Sequence, residues 1–161
     1  MIDLDDFRAF NDRHGRLAGD AVLREMADVL GSELRAKVDI AARYGGEELA
    51  VILPNTPMTA APEMHIEMDL TGKPARAGDA DAPPAPGRPH GAEEVAGSIR
   101  RRVGAPHFTG GDGKRLSRLT VSIGVAVFPH GTSSPKDLVG TADAALYKAK
   151  RAGKNRVESY A

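Results

Sequence analysis

"RYGGEELAVILPN", residues 43–55, decides the architecture. Two glycines precede two glutamates, and an apolar run follows. A Gly-Gly link between the short apolar runs "VDIAARY" (38–44) and "ELAVIL" (48–53) predicts a β-hairpin, because glycine supplies the positive φ that a tight turn needs. The hairpin then raises a chemical question. Two adjacent carboxylates, Glu47 and Glu48, stand at the mouth of what reads as a buried strand.

Outward from the hairpin, the hydrophobic period identifies the neighbours. Residues 1–4 read as the tail of a strand that turns acidic at once. From Gly19 to Leu34, Val22, Leu23, Met26, Val29, Leu30 and Leu34 recur at three- and four-residue spacing, which predicts an amphipathic helix. A short helix is expected over 95–103 on Val95, Ile99 and Val103. "LTVSIGVAVF" (119–128) alternates, so it should be a strand with Val121, Ile123, Val125 and Val127 on one face. The last helix is the best marked. Ser134 suits the N-cap, Pro135 the first turn and Asp137 a capping-box pattern, while Leu138, Ala142, Ala145, Leu146 and Ala149 form the stripe and Gly153 stops it. "NRVESY" (155–160) reads as a closing strand. The order predicts an α+β domain, an antiparallel central sheet with helices packed on it.

One stretch departs from this order. Residues 56–91 hold seven of the 11 prolines and show no sustained apolar period, so they are expected to form a largely disordered insertion; "MHIEMDL" (64–70) inside it could make a brief helix or edge strand. The whole chain, 161 residues with 41% hydrophobic content, suits a single domain. Lys plus Arg equals Asp plus Glu at 22 each, which argues against a long nucleic acid or an anionic membrane as partner but leaves room for a small anionic ligand. There is no cysteine, so disulfides and thiolate metal sites are excluded. No basic leader and no run of about 18 apolar residues is present, and a cytoplasmic location is expected.

Three blocks, "DLDDFRAFNDRHGRLAGDAVL" (3–23), "RYGGEELAVILPNT" (43–56) and "LTVSIGVAVFPHGTSSPKDLVGTADAALYKAKRAGKNRV" (119–157), resemble in order and spacing the signature blocks of the GGDEF domain, the catalytic domain of diguanylate cyclases. The resemblance implies a nucleotidyl-cyclase palm-like fold, a homodimer, and the joining of two GTP into cyclic di-GMP with release of pyrophosphate. It also answers the question of the carboxylates. Attack of a 3′-hydroxyl on an α-phosphate requires Mg²⁺ (or Mn²⁺) to offset triphosphate charge, and hard cations take oxygen ligands. By resemblance, Asp3, Glu47 and the Leu4 carbonyl are the metal ligands, Asp3, Glu47 and Glu48 form the catalytic acids, and the role of Glu48 is the less settled. Gly45 and Gly46 would let the nucleotide approach the backbone.

The same resemblance makes Asn11 and Asp20 the readers of guanine, whose N1–H and N2 amino edge suits a carboxylate acceptor. Lys150 and Lys154, one helical turn apart, would bind a terminal phosphate. Each has an ordinary reading when taken alone: Asp3 as a solvated acid, the lysines as charges complementing a helix C-terminus, Asn11 and Asp20 as a turn residue and an N-cap. Their joint spacing favours the site. His14, His65, His90, His107 and His130 have no zinc-like spacing, and "GGDGKR" (110–115) lacks the phosphate-loop pattern.

Departures from the family pattern set further expectations. The helical entry and the first half of the central strand that usually precede the first block are missing, as are upstream sensory or dimerisation modules, so a marginal, association-prone chain is expected. Arg16 stands where the family has His, and Leu49 where it has Phe. The allosteric product motif RxxD reads "AKVD", Ala36 to Asp39, with Arg35 one residue out of register, so that site should be absent or weak. Three readings remain open: an active cyclase, a GTP- or protein-binding module derived from one, and a truncated product.

Overall fold

Strand residues 121–126, VSIGVA, alternate valine and isoleucine with small residues, and the hydrophobic stripes of the helices close over the sheet. The computed structural model describes residues 1–59, 91–105, 108, 116–129 and 134–160. Among the described residues nine elements follow one another: β1 Ile2–Leu4, α1 Phe7–His14, α2 Arg16–Glu33, β2 Ile40–Arg43, β3 Glu48–Ile52, α3 Ala92–Gly104, β4 Val121–Ala126, α4 Pro135–Arg151 and β5 Val157–Tyr160. The expected insertion lies outside the described residues except at its ends, as does "GGDGKR". Its beginning is anchored. The carbonyls of Pro57 and Met58 accept from the N–H groups of Ala92 and Glu93, at 2.8 and 3.0 Å, and so satisfy the first turn of α3.

The five strands are ordered β2-β3-β1-β4-β5. Short β1 is central, with Ile2 opposite Leu49 and Asp3 opposite Glu48 on β3, while Asp3 also opposes Ser122 on β4. These pairs and β2-β3 are antiparallel, as expected. The β4-β5 pair, at the sheet edge, is parallel. The reason is the connection: α4 lies between β4 and β5, and a helical crossover returns the chain in the same direction.

Alternation gives the sheet two distinct faces. Ile2, Leu4, Leu49, Val121, Ile123 and Val125 join Phe7, Phe10, Val22, Met26, Leu30, Ile99 and Val103 in one core cluster under α1, α2 and α3. Each large buried side chain there contributes about 1.5–3 kcal/mol. The opposite face receives α4 at Gly124, where an added Cβ would meet the Ala142 carbonyl oxygen at 2.1 Å and the Leu146 nitrogen at 2.2 Å. Ala142, Ala145, Leu146 and Ala149 are the buried stripe, and Ser134 caps the helix through the Asp137 N–H at 3.2 Å. Helix α1 was not apparent as an element in the sequence; Phe7 and Phe10 anchor it with ring centroids 6.3 Å apart.

The hairpin turn differs from the expected two-residue link. Strands β2 and β3 are joined by residues 44–47, and neither Gly45 nor Gly46 has positive φ. The N–H groups of Tyr44 and Gly45 both donate to the Glu48 carbonyl, at 2.8 and 3.2 Å. Arg43 fixes the far side of the turn, donating to the Gly46 carbonyl at 2.6 and 2.9 Å and to that of Gly45 at 3.3 Å. Among the described residues no helix is long and apolar enough to cross a membrane.

Candidate active site

Strand β1 separates chemistry from packing by its two-residue period. Ile2 and Leu4, 2% and 1% exposed, point into the core, and Asp3 between them points to the α4 face. Cross-strand pairing places Glu48 opposite Asp3, and the Leu4 N–H reaches the Glu47 carbonyl at 3.4 Å. Glu47 and Glu48, distant in sequence, are thus held near enough to Asp3 for their charges to act on it. Burial pushes the Asp3 carboxyl above the usual carboxylate range; Lys150 opposes that rise, and the charges of Glu47 and Glu48 add to it.

Helix α4 brings the cations. Lys150 Nζ lies 2.7 Å from Asp3 Oδ2, and Lys154 Nζ lies 2.6 Å from Asp6 Oδ1. The expectation that both lysines share one helical face is corrected. Helix α4 ends at Arg151, and Lys154 follows it at φ 62, with its N–H donating to the Ala149 carbonyl at 3.1 Å. Hydrogen bonding to Asp6 raises the Lys154 ammonium above its ordinary value. The chain reversal at Gly153, φ 113, is what returns Lys154 toward the start of α1.

Asn11 and Asp20 sit inside α1 and α2, not in a turn and an N-cap. Asn11 Oδ1 is buried against Gly19 and has no hydrogen-bond partner among the described residues. Exposed Asp20 borders a cavity of about 630 Å³ between α2 and the hairpin, also lined by Leu23, Arg24, Arg43 and Leu49. Above Gly46 the space is open, since an added Cβ would meet nothing within 4 Å; at Gly45 it would meet Glu48 Oε2 at 3.0 Å. Gly46 therefore leaves room over the turn, while the space beside Gly45 is taken by Glu48.

Among the described residues no group of three or more His, Cys, Asp or Glu is arranged to hold a metal ion. The donor set implied by resemblance is smaller, two carboxylates and one carbonyl, and its all-oxygen chemistry fits Mg²⁺. The structure supports that fit through Asp3, a buried acid beside two further acids, whose charge a divalent cation would balance.

Sequence reading missed two neighbours of the site. Asp5, 5% exposed, accepts from Thr120 Oγ1 and Ser122 Oγ at 2.7 Å each and from the Asn155 N–H at 3.0 Å, stitching β1 to β4 and to the turn after α4. Asp6 holds a left-handed conformation, φ 56, at the start of α1. The acidic run "DLDD" carried the signal. Three acids in four residues exceed what one strand end needs, yet spacing alone does not tell ligand from scaffold.

The product-motif position has its own geometry. The Asp39 side chain, 3% exposed, is clamped by Arg35: Nη2 to Oδ1 at 2.6 Å, Nε to Oδ1 and Oδ2 at 3.0 and 3.1 Å, and the backbone N–H to Oδ2 at 2.7 Å. Arg35 also donates to the Pro54 carbonyl at 2.8 Å and to Thr56 Oγ1 at 2.9 Å. Burial alone would raise the Asp39 carboxyl, but the Arg35 hydrogen bonds hold it below the usual range.

Comparison with known proteins identifies the family and the fold. The family described as diguanylate cyclase, GGDEF domain, matches residues 1–77 and 86–156, leaving out 78–85 within the proline-rich stretch. Diguanylate cyclase A of Treponema denticola is 37% identical over 157 residues, 98% of this chain and 33% of that protein. The chain spans about a third or less of the length of the curated relatives it matches. The GGDEF domain of PA1120 from Pseudomonas aeruginosa superposes with a TM-score of 0.72 at 31% identity, covering 99% of this chain and 79% of that one. The GGDEF domain of DgcB from Caulobacter crescentus, solved in complex with c-di-GMP, gives 0.68 at 31% identity, covering 98% and 74%. The chain belongs to the diguanylate cyclase GGDEF domain family.

Proposed function

We propose that this domain condenses two GTP molecules into cyclic di-GMP with release of pyrophosphate, in a reaction that depends on Mg²⁺ or Mn²⁺ and joins two copies of the chain. The observation that carries this reading is the convergence on Asp3 of Glu48 across the sheet, Glu47 at the turn and Lys150 from α4. The T. denticola relative's name and the ligand in the DgcB structure support the same chemistry.

In the reaction, the 3′-hydroxyl of one GTP attacks the α-phosphorus of the other and the bond to pyrophosphate breaks; the reciprocal attack closes the ring. The divalent cation, when bound, offsets triphosphate charge and makes the hydroxyl more acidic. Asp3, Glu47 and the Leu4 carbonyl would hold it. Lys150 and Lys154 would exchange their carboxylate partners for phosphate oxygens. Asp20 would accept from the guanine N1–H and N2 amino edge, which adenine lacks, and Asn11 Oδ1 would gain a donor that none of the described residues supplies. One set of these groups serves one GTP, so the second GTP would come on a second copy. A domain that uses GTP in this way would act in the cytoplasm.

The test is direct. Purified protein incubated with GTP and Mg²⁺ should form cyclic di-GMP and pyrophosphate by mass spectrometry, with no product from ATP. Asp3→Asn and Glu47→Gln should abolish product while circular dichroism stays unchanged. GTP binding without product would favour a binding module over a cyclase.

A further inference from the structure

The two lysines assigned to phosphate are both engaged in ion pairs, and the pairs are unlike. Asp3 retains 7% side-chain exposure against 36% for Lys150, so the cation is the partner that can leave toward solvent while the carboxylate stays. In the other pair Lys154 and Asp6 are 42% and 67% exposed, and Asp6 is no part of the proposed metal set. A buried acid beside two further acids stays ionised only with a counter-charge at hand. Lys150 supplies it, with Nζ 2.7 Å from Oδ2 of Asp3.

We propose that Lys150 is a tethered cation that occupies Asp3 when no nucleotide is bound, and that metal and triphosphate displace it together. The proposal rests on the metal reading given above. An ammonium and a divalent cation repel at one carboxylate oxygen, so metal bound there drives Lys150 away. The released ammonium then needs an anion, and the triphosphate provides one. Metal alone therefore binds weakly, because nothing receives the lysine. Metal arriving with nucleotide binds tightly, because each ligand completes the exchange begun by the other.

Mn²⁺ titration of the nucleotide-free protein, followed by electron paramagnetic resonance, tests the exchange without turnover. Lys150→Gln should tighten Mn²⁺ binding by up to about fivefold, the size expected of removing one partly exposed ion pair. Lys150→Arg, which keeps the charge, should stay near the parent. Lys154→Gln removes an equal charge from the Asp6 pair and should shift affinity much less. Equal gains in Lys150→Gln and Lys154→Gln would reduce the effect to a general field and overturn the proposal, as would no gain in the folded Lys150→Gln protein. A measurement on the unaltered chain guards against a variant that does not fold: Mn²⁺ alone should speed acylation of Lys150 relative to Lys154 by mass spectrometry, and an unchanged ratio counts against displacement. Mn²⁺ affinity unaffected by Asp3→Asn and Glu47→Gln would instead remove the metal site, and the tether with it.

Discussion

Gly19 on α2 and Asn11 on α1 are in contact such that a Cβ on Gly19 would stand 1.9 Å from Asn11 Oδ1 and 3.0 Å from Phe7 Cζ. The amide is the far end of a flexible side chain and can yield. Yielding moves the group proposed to read guanine. Gly19→Ala should therefore raise the KM for GTP by roughly tenfold, the value of one misplaced hydrogen bond, while lowering stability by only about 1 kcal/mol. Steady-state kinetics with urea unfolding of the same variant checks the split; a large stability loss with unchanged KM would contradict it.

Gly124 faces backbone rather than a movable side chain. An alanine there would press on the Ala142 carbonyl and the Leu146 nitrogen, so α4 must lift from β4. Gly124→Ala should cost about 3 kcal/mol or more in urea unfolding and should weaken phosphate contacts, since Lys150 and Lys154 follow α4.

Asp5 tests scaffold against chemistry. Asp5→Ala leaves two hydroxyls and one backbone N–H without their acceptor and should destabilise by roughly 2–4 kcal/mol. Asp3→Ala should abolish turnover with the fold retained. If Asp5→Ala matched the parent in chemical denaturation, the stitching role would be wrong.

The Arg35–Asp39 clamp has a pH signature. Asp39 titrates lower in the fold than its ordinary value of 3.8, so its stabilisation is complete above that value and is lost as pH falls through the lower folded value. Arg35→Ala should cost roughly 1–3 kcal/mol at neutral pH, and the gap to the parent should narrow in strong acid. A gap that stays constant with pH would argue against the ion pair.

With Asp39 committed to Arg35 and Ala36 unable to bind phosphate, cyclic di-GMP should not bind tightly at this position. Isothermal titration calorimetry should find no submicromolar site that survives Arg35→Ala. Such a site would reopen product control.

Periodicity revealed the elements that bury a stripe. Helix α2, strand β4 and the capped helix α4 were readable because their apolar spacing or cap chemistry is local. Helix α1 was not, since eight residues with Phe7 and Phe10 as anchors give too short a period to stand out from the acidic run before it. The Asp5 network was hidden because its partners, Thr120, Ser122 and Asn155, are more than a hundred residues away. The turn at Gly45 and Gly46 was misread for another reason. Tight hairpins are the usual use of such a pair, but here Arg43 binds the turn carbonyls and the connection runs over four residues, 44–47.

The alternation of Ile2, Asp3 and Leu4 in the middle of the sheet has a consequence for quality control. A slip of one residue in β1 would turn Asp3 into the hydrophobic cluster and bring Ile2 and Leu4 to the α4 face, against Lys150 and the acids. The error that ruins the chemistry is thus the same error that unfolds the domain. Misregistered copies would not accumulate as intact, inert competitors for GTP or for a second subunit; they would be open chains, exposed to proteases.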